Sequence, residues 1–329
     1  MKKIRNIFLR IAHKTIRLLR LNDSSDAQKP AGFDFFMQHL TIDENAFHKK
    51  VEDANAGNLK LKELILSNKP FMASRFGNTE LWVCCNYLYN QFPGGGWNLY
   101  VKNCMLKSKS LWPDSEQSVD EFSEEWFKAI PNIDLLGTWN NRGEEIMTRF
   151  FCRSAFLTKL RALEPFFYDE PWSAALYKKK VLVIHPYFES ITQQFHNRSK
   201  LFEDQSILPD FELITYRPFH VHTDDLGRYK NWNEALYDMH REISLIDFDI
   251  ALIGAGHFGL PLASFIKVSL GKQAIHIGGS LQLLFGIKGK RWENRDHSKL
   301  FNEYWVYPNE NETPPEEIRN KLDGGDYWK

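Results

Sequence analysis

The chain has 329 residues, and 43% of them are hydrophobic, which is enough for one large core or two medium-sized cores. Lysine plus arginine equals aspartate plus glutamate, at 42 each, so no net charge favours nucleic acid as a partner. Aromatic residues make up 14% of the chain, which argues against a disordered protein, and the four cysteines include no CxxC pair, which favours a reducing, cytoplasmic compartment.

The first 21 residues predict a basic amphipathic helix. Apolar residues recur at helical spacing, with lysine and arginine between them and no acid before Asp23. Such a helix either lies on an anionic membrane surface or packs against its own domain or a partner. The stretch lacks the unbroken apolar region of a secretory signal, and no run of about 20 apolar residues predicts a membrane span. We therefore expect a helix and linker at 1–32, peripheral contact with the inner membrane face through 1–21, and a single domain over 33–329.

After the linker, strand and helix patterns alternate. Short apolar runs predict strands at residues 71–76, 133–138, 181–185, 211–216, 248–253, 273–277 and 304–307. Helical spacing predicts helices at residues 79–90, 189–200, 231–246 and 259–270. Strands separated by helices indicate βαβ crossovers, so we expect an α/β protein with a Rossmann-like, mostly parallel sheet flanked by helices. Ligands of open parallel sheets bind at the carboxyl ends of strands, so the residues there form the candidate site.

The first candidate segment lies at the end of the strand at 71–76. Gly77 permits a tight turn, and Glu80 falls in the first turn of the next helix, where the helix dipole favours a carboxylate. A capped helix would explain both residues. It would not explain Arg75, because an arginine at the end of an apolar strand needs an anionic partner, either a phosphate or Glu80. Asn78 and Glu80 also offer the oxygen ligands that a hard cation prefers.

The second candidate segment follows the apolar strand at 181–185. His185 is suited to the role of a base, a phosphate donor or a ligand, and equally to that of a hydrogen-bonded core histidine. Glu189 begins the next helix, so it is either a helix cap or a candidate base.

The third candidate segment is a GxGxxG pattern formed by Gly254, Gly256 and Gly259, between a predicted strand and a predicted helix. Free backbone N–H groups at such a turn suit a phosphate, with His257 beside them, although a tight packing turn gives the same pattern. A dinucleotide site also expects an acid roughly 20 residues further on, after the next strand. His276 occupies that place, so the pattern disfavours NAD.

The fourth candidate segment contains a second glycine turn, Gly278 and Gly279, followed by the cations Lys288, Lys290 and Arg291. Cations on glycine-flexed backbone are typical of sites that bind phosphate groups. A solvated loop is the alternative. Two glycine turns on adjacent strands, followed by cations, favour an anion site.

These segments resemble a known family. The segment from Arg75 to Glu80 resembles the Arg-x-Gly-Asp-Gly-Glu segment of GT-D type glycosyltransferases, and residues 181–198 and 254–292 are similar to such chains from bacterial surface-polysaccharide clusters. The resemblance implies a Rossmann-like fold and a nucleotide-diphosphate sugar donor, typically a UDP-sugar. It also implies a divalent cation, Mn²⁺ or Mg²⁺, held by an Asp-x-Glu pair. Asn78 replaces the aspartate of that pair and contributes an oxygen but no charge, whereas Glu80 is retained.

We therefore expect a glycosyltransferase of capsule, O-antigen or related glycan assembly that uses a glycan or lipid-linked acceptor. Its leaving diphosphate needs cations and N–H donors, and its acceptor hydroxyl needs a base if transfer inverts the sugar. The residues assigned to nucleotide-sugar binding are Arg75, Gly77, Gly254, Gly256, His257, His276, Gly278, Gly279, Lys290 and Arg291. Those assigned to catalysis are Glu80, Glu189 and His185, with Asn78 and Glu80 on the metal, and His257 and Asp224 are further candidate bases.

Two other functions suit the same sequence. A methyltransferase would use the glycine turn for S-adenosylmethionine, but that use wants an acid where His276 stands. The second alternative is a non-catalytic scaffold protein that binds a nucleotide-sugar or a glycan. Asn78 favours this function because the residue lacks the negative charge that binds a metal.

Overall fold

The computed structural model describes residues 47–91, 96–107, 110–220, 223–315 and 327. The helix and linker expected at 1–32 lie outside these residues. Within the described part of the chain, no helix has the length and apolar composition that crossing a membrane requires.

Seven parallel strands form one sheet in the order β3-β2-β1-β7-β6-β4-β5. In chain order they are β1 (Phe71–Ser74), β2 (Leu135–Thr138), β3 (Phe156–Lys159), β4 (Lys180–Ile184), β5 (Glu212–Tyr216), β6 (Ile250–Ile253) and β7 (Gln273–His276). The prediction of a parallel, Rossmann-like sheet is confirmed. Because β1 lies between β2 and β7, the first and last strands of the α/β alternation meet in the middle of the sheet.

Helices cover both faces of the sheet. They are α1 (Ala54–Leu66), α2 (Asn78–Asn90), α3 (Leu99–Lys102), α4 (Glu116–Ala129), α5 (Glu144–Phe150), α6 (Phe188–His196), α7 (Arg198–Leu201), α8 (Trp232–Ser244), α9 (Gly259–Val268), α10 (Leu281–Leu284) and α11 (Lys290–Glu293). Successive strand residues point to opposite faces, so Phe71 and Ala73 enter one buried cluster while Met72 enters the other. Strands β1, β6 and β7 are therefore buried along their whole length, as in a sheet covered on both faces.

Several elements differ from the sequence-based expectation. Strand β3 and helices α1, α4 and α5 were not expected, and β3 is only partly buried because it is an edge strand. The strand predicted at 304–307 is wrong, since Val306 makes only an isolated bridge with Ile287. The helix predicted at 189–200 is two helices, because Asn197 leaves the helical conformation between α6 and α7.

The register of the sheet brings the candidate segments together at its carboxyl edge. Ile253 pairs with both Ile184 and His276, and Ala73 pairs with Ile275. The residues that follow β4, β6, β7 and β1 are therefore neighbours in that order across the edge.

Candidate functional site

Glu80 and His257 form a carboxylate–imidazole pair at this edge. Nδ1 of His257 lies 2.8 Å from Oε1 of Glu80, and the side chains are 24% and 12% exposed. Burial raises the pKa of Glu80, but the hydrogen bond from His257 and the positive charges of His257 and Arg75 outweigh it and lower the pKa to about 2. An ionised carboxylate can only accept, so Nδ1 carries the proton. When the imidazole is neutral, its lone pair is therefore on Nε2.

Arg75 places a cation beside this pair. Its guanidinium lies against the Cα of Gly278, since a Cβ there would be 2.7 Å from Nε, and 5.7 Å from the ring centroid of Trp139. Nη1 of Arg75 and Nε1 of Trp139 both donate to the carbonyl of Phe76, at 3.2 and 3.1 Å. Among the described residues, no carboxylate lies within 4.0 Å of the guanidinium. The cation is thus held in place by packing, and Glu80 is near enough to feel its charge but is not in ion-pair contact with it.

His185 follows β4 and is 3% exposed. Its Nδ1 accepts the backbone N–H of Tyr187 at 3.0 Å, and its ring packs on Gly254, where a Cβ would be 2.5 Å from Cδ2. Burial, with a smaller effect of the neighbouring His220, lowers the pKa of His185 to about 3. The imidazole is therefore neutral near pH 7.

His276 ends β7 and is a core histidine. It is 2% exposed, its Nδ1 lies 3.0 Å from Oγ of Ser74, and its ring packs against Gly259. Burial and the positive charge of Arg75 lower its pKa to about 3, against the opposing effect of Glu80. Nε2 is buried and has no partner among the described residues. This burial disfavours the predicted role of His276 in binding a nucleotide-sugar directly.

Most of the glycines at this edge make room for side chains and do not present free N–H groups. The N–H of Gly254 donates to Ile184 and that of Gly278 donates to Ile253, so the sheet uses both. The side chain lying over each glycine comes from a different element: His185 on Gly254, His276 on Gly259, Arg75 on Gly278, Tyr327 on Gly279 and Glu80 on Gly77. This corrects the expectation that the N–H group of Gly254 in the GxGxxG turn is free for a phosphate. Gly256 differs, because its φ is +51° and no atom lies within 4 Å of a Cβ built there.

Other predicted site residues bond elsewhere. The carboxylate of Glu189 accepts from Asn311 at 2.8 Å, and that of Asp224 accepts from Arg217 and from the backbone N–H of His220. Both carboxylates therefore bond to other residues, and neither contacts the Glu80–His257 pair through these hydrogen bonds. Of the two predicted cations, Lys290 is exposed, and Arg291 donates to the hydroxyl of Tyr327 at 2.8 Å.

Sequence reasoning missed Glu312. Its carboxylate accepts the N–H groups of Glu189 and Ser190, at 2.7 and 3.0 Å, and the hydroxyl of Ser190. It therefore fills the N-terminus of α6, next to His185, so that this helix end has no room for a ligand anion. The contact spans 122 residues, and no local pattern announces it.

Glu144 was missed as well. It is fully buried, and its Oε2 accepts the backbone N–H groups of Trp139 and Asn141, at 3.3 and 3.0 Å. Burial raises the pKa of Glu144 to about 8, so the side chain is largely protonated at pH 7. Glu144 thereby shapes the loop that carries Trp139 to Arg75.

The fit of these residues to a divalent cation is poor. No group of three or more histidine, cysteine, aspartate or glutamate side chains that could hold a metal occurs in the part of the chain that the structure describes. Glu80 is already bonded to His257, and Asn78 is exposed. The cation stays a prediction of the resemblance, and no step below depends on it.

Two sizeable cavities lie away from this edge. One of about 620 Å³ opens at the amino-terminal edge of the sheet, between Lys178, Phe248 and Lys272, and one of about 700 Å³ lies along α8. Neither contains a predicted site residue. Ligands of open parallel sheets bind at the carboxyl edge, so the candidate site is the strand-end cluster of Arg75, Glu80, His185, Gly256 and His257.

Comparison with protein-family models, with curated proteins and with solved structures finds no match to the chain. The likeness to GT-D type glycosyltransferases therefore depends on the sequence segments quoted above.

Proposed function

We propose that the chain is a glycosyltransferase that moves a sugar from a nucleotide-diphosphate donor, typically a UDP-sugar, to a glycan or lipid-linked acceptor. The observation that carries the proposal is a fixed arginine without a carboxylate within 4.0 Å among the described residues, next to a carboxylate-bound histidine. Together they supply an anion site and a base, which are the two groups that this transfer requires.

Arg75 acts on the leaving group. The bond between the anomeric carbon and the diphosphate oxygen breaks, the diphosphate takes the electron pair, and negative charge develops on it. A guanidinium forms charge-assisted, often bidentate hydrogen bonds with phosphate oxygens. Because Gly278 and Trp139 hold Arg75 before the ligand arrives, little reorganisation is needed as the charge develops.

His257 acts on the acceptor. The acceptor hydroxyl oxygen forms the new bond to the anomeric carbon and loses its proton to Nε2 of His257. The imidazolium that results is stabilised by the ionised Glu80 bonded at Nδ1. This pair supports His257 as the base over Glu189 and Asp224, which have contacts of their own.

The two alternatives make different demands. A methyltransferase site needs an acid after β7, and the buried His276 does not supply one. A binding scaffold needs the anion site but no base, so an ordered Glu80–His257 pair supports the transferase over the scaffold.

The test is calorimetric titration of the full chain with UDP-, GDP- and CDP-glucose, with and without Mn²⁺, followed by assay of the released nucleoside diphosphate. We expect one donor to bind and to be hydrolysed or transferred. His257→Gln should still bind that donor but release the diphosphate at least ~100-fold more slowly, the lower end of the usual effect of a general base. His196→Gln, at an exposed histidine that ends α6, is the matched control.

Three results decide between the functions. If none of the donors binds, the transferase proposal is refuted. If a donor binds but no diphosphate is released, the scaffold is favoured. If His257→Gln releases diphosphate as fast as the native chain, His257 is not the base.

A further inference from the structure

His185 is held in one tautomer by the backbone. The N–H of Tyr187 can only donate, and it points at Nδ1 from 3.0 Å, so that atom must present its lone pair. A neutral imidazole then carries its proton on Nε2. Protonating Nδ1 would set two N–H groups against each other. A base at this position would have to become imidazolium, and the contact with Tyr187 opposes that.

Packing fixes the direction of the ring as well. The ring lies on Gly254 through Cδ2 and Nε2, which would be 2.5 and 3.2 Å from a Cβ there, and the ring of Tyr187 lies at a centroid distance of 4.8 Å. Neither a ring flip nor a rotation can bring Nε2 to the position of Nδ1 without losing the bond to Tyr187. Nε2–H therefore has a fixed direction.

The donor has no partner among the described residues. The contact with Tyr187 is the hydrogen bond that His185 makes there, although the side chain is 3% exposed. Nε2 of His185 is not one of the fully enclosed side-chain atoms that lack a partner in the described residues, so it is open to solvent or to a ligand.

His185 and Arg75 lie on opposite sides of the two glycine turns. His185 covers Gly254, Arg75 covers Gly278, and the carbonyl of Gly278 is 2.9 Å from the position of a Cβ on Gly254. Their strands, β4 and β1, are separated by β6 and β7. The two side chains thus lie over different turns, and a ligand whose diphosphate is on Arg75 places another of its groups against His185.

We infer that His185 is a fixed, neutral hydrogen-bond donor to an uncharged oxygen, a hydroxyl or a carbonyl, of the ligand held at the strand-end cluster. It determines specificity and does not act as a base. The inference depends on the proposed function only for the identity of the ligand. We expect an uncharged oxygen as the acceptor because the neutral imidazole of His185 has no charge with which to hold an anion. The positive charge for an anion comes from Arg75.

The first experiment measures the tautomer on the free protein. Two-bond ¹⁵N–¹H correlation spectra of the histidine-labelled full chain report the protonation of each ring nitrogen, and the spectrum of His185→Gln identifies the signals of His185. We expect the Nε2–H form from pH 5 to pH 8. Signals of an Nδ1–H form or of an imidazolium at pH 6 would overturn the inference.

The second experiment uses UDP and inorganic pyrophosphate as probes. His185→Ala should weaken UDP about 2- to 10-fold, the usual effect of one neutral hydrogen bond, and leave pyrophosphate unchanged. His185→Gln, which retains an N–H donor, should recover part of the loss. Equal weakening of both probes, or an unchanged UDP affinity, overturns the inference. If none of UDP, GDP and CDP binds the native chain, the proposed function is refuted, and so is the claim that His185 contacts this ligand. The tautomer measurement still decides whether His185 is a fixed neutral donor.

Discussion

Gly278→Ala should weaken anion binding while leaving the fold intact. A Cβ at this position would lie 2.7 Å from Nε of Arg75 and closer still to Nη2. The guanidinium is the far end of a flexible side chain, so it moves away and the backbone does not. The guanidinium of Arg75 then no longer occupies the position between Gly278 and Trp139.

The magnitude follows from two separate effects. Gly278 has a φ of +80°, and a residue with a Cβ in the left-handed region costs roughly 1–2 kcal/mol of stability. Loss of the guanidinium removes a charge-assisted hydrogen bond of about 1.5–3 kcal/mol, which weakens anion binding by roughly 10- to 100-fold.

Gly271→Ala separates the two effects. Gly271 has a φ of +65°, and no atom lies within 4 Å of a Cβ built there, so the backbone cost is similar and Arg75 is untouched. We would measure pyrophosphate binding by calorimetry and the melting temperature of both variants. Both should melt lower, and only Gly278→Ala should bind pyrophosphate weakly. Native affinity in a folded Gly278→Ala, or equal loss in Gly271→Ala, would refute the reasoning.

Three further predictions concern stability. Gly254→Ala should lower the free energy of unfolding in urea by about 1–3 kcal/mol, since the Cβ meets the held ring of His185, whereas Gly256→Ala should cost only the backbone strain. Glu80 has a lowered pKa, so its ionised carboxylate stabilises the fold above pH 4.5, and this contribution is lost as the pH falls towards 2. In Glu80→Gln this part of the acid destabilisation should be absent, as measured by acid titration followed by circular dichroism. Glu144 has a raised pKa, so its contribution falls as the pH rises from 4.5 to 8, and Glu144→Gln should gain stability over the native chain between pH 5 and pH 8 in urea titrations.

Each of these has a contrary result. A Gly254→Ala variant as stable as the native chain would mean that the ring of His185 moves aside. An unchanged acid transition in Glu80→Gln would mean that the carboxylate is not held ionised by its partners. A stability difference for Glu144→Gln that does not vary with pH would mean that Glu144 is ionised in the fold.

The central strands could be predicted because they are buried on both faces. Strands β4, β6 and β7 appear in the sequence as apolar runs, and their observed ends lie close to the predicted ones. Strand β3 lies at an edge, and only its first two residues, Phe156 and Leu157, are apolar, so its pattern is weak. The N-terminal helix over 1–21 remains a prediction.

The strand ends could be located from sequence, but their contacts could not. Glu80 was assigned to a metal and His257 to a phosphate, and the structure bonds them to each other across 177 residues. The glycine pattern correctly marked tight turns. Which side chain covers each glycine depends on the strand order, which places β7 next to β1 and β6 next to β4, and no local pattern in the sequence encodes that order.

The central claim is that Arg75 holds the diphosphate of the ligand. The most direct measurement is calorimetric titration of UDP into the native chain, Arg75→Gln and Arg198→Gln. Arg198 is the matched control because it is paired with Asp210 at 2.6 Å, away from the strand-end cluster. We predict that Arg75→Gln weakens UDP at least ~10-fold, the effect of one lost charge-assisted bond, and that Arg198→Gln binds as the native chain does. Native UDP affinity in Arg75→Gln would contradict the claim.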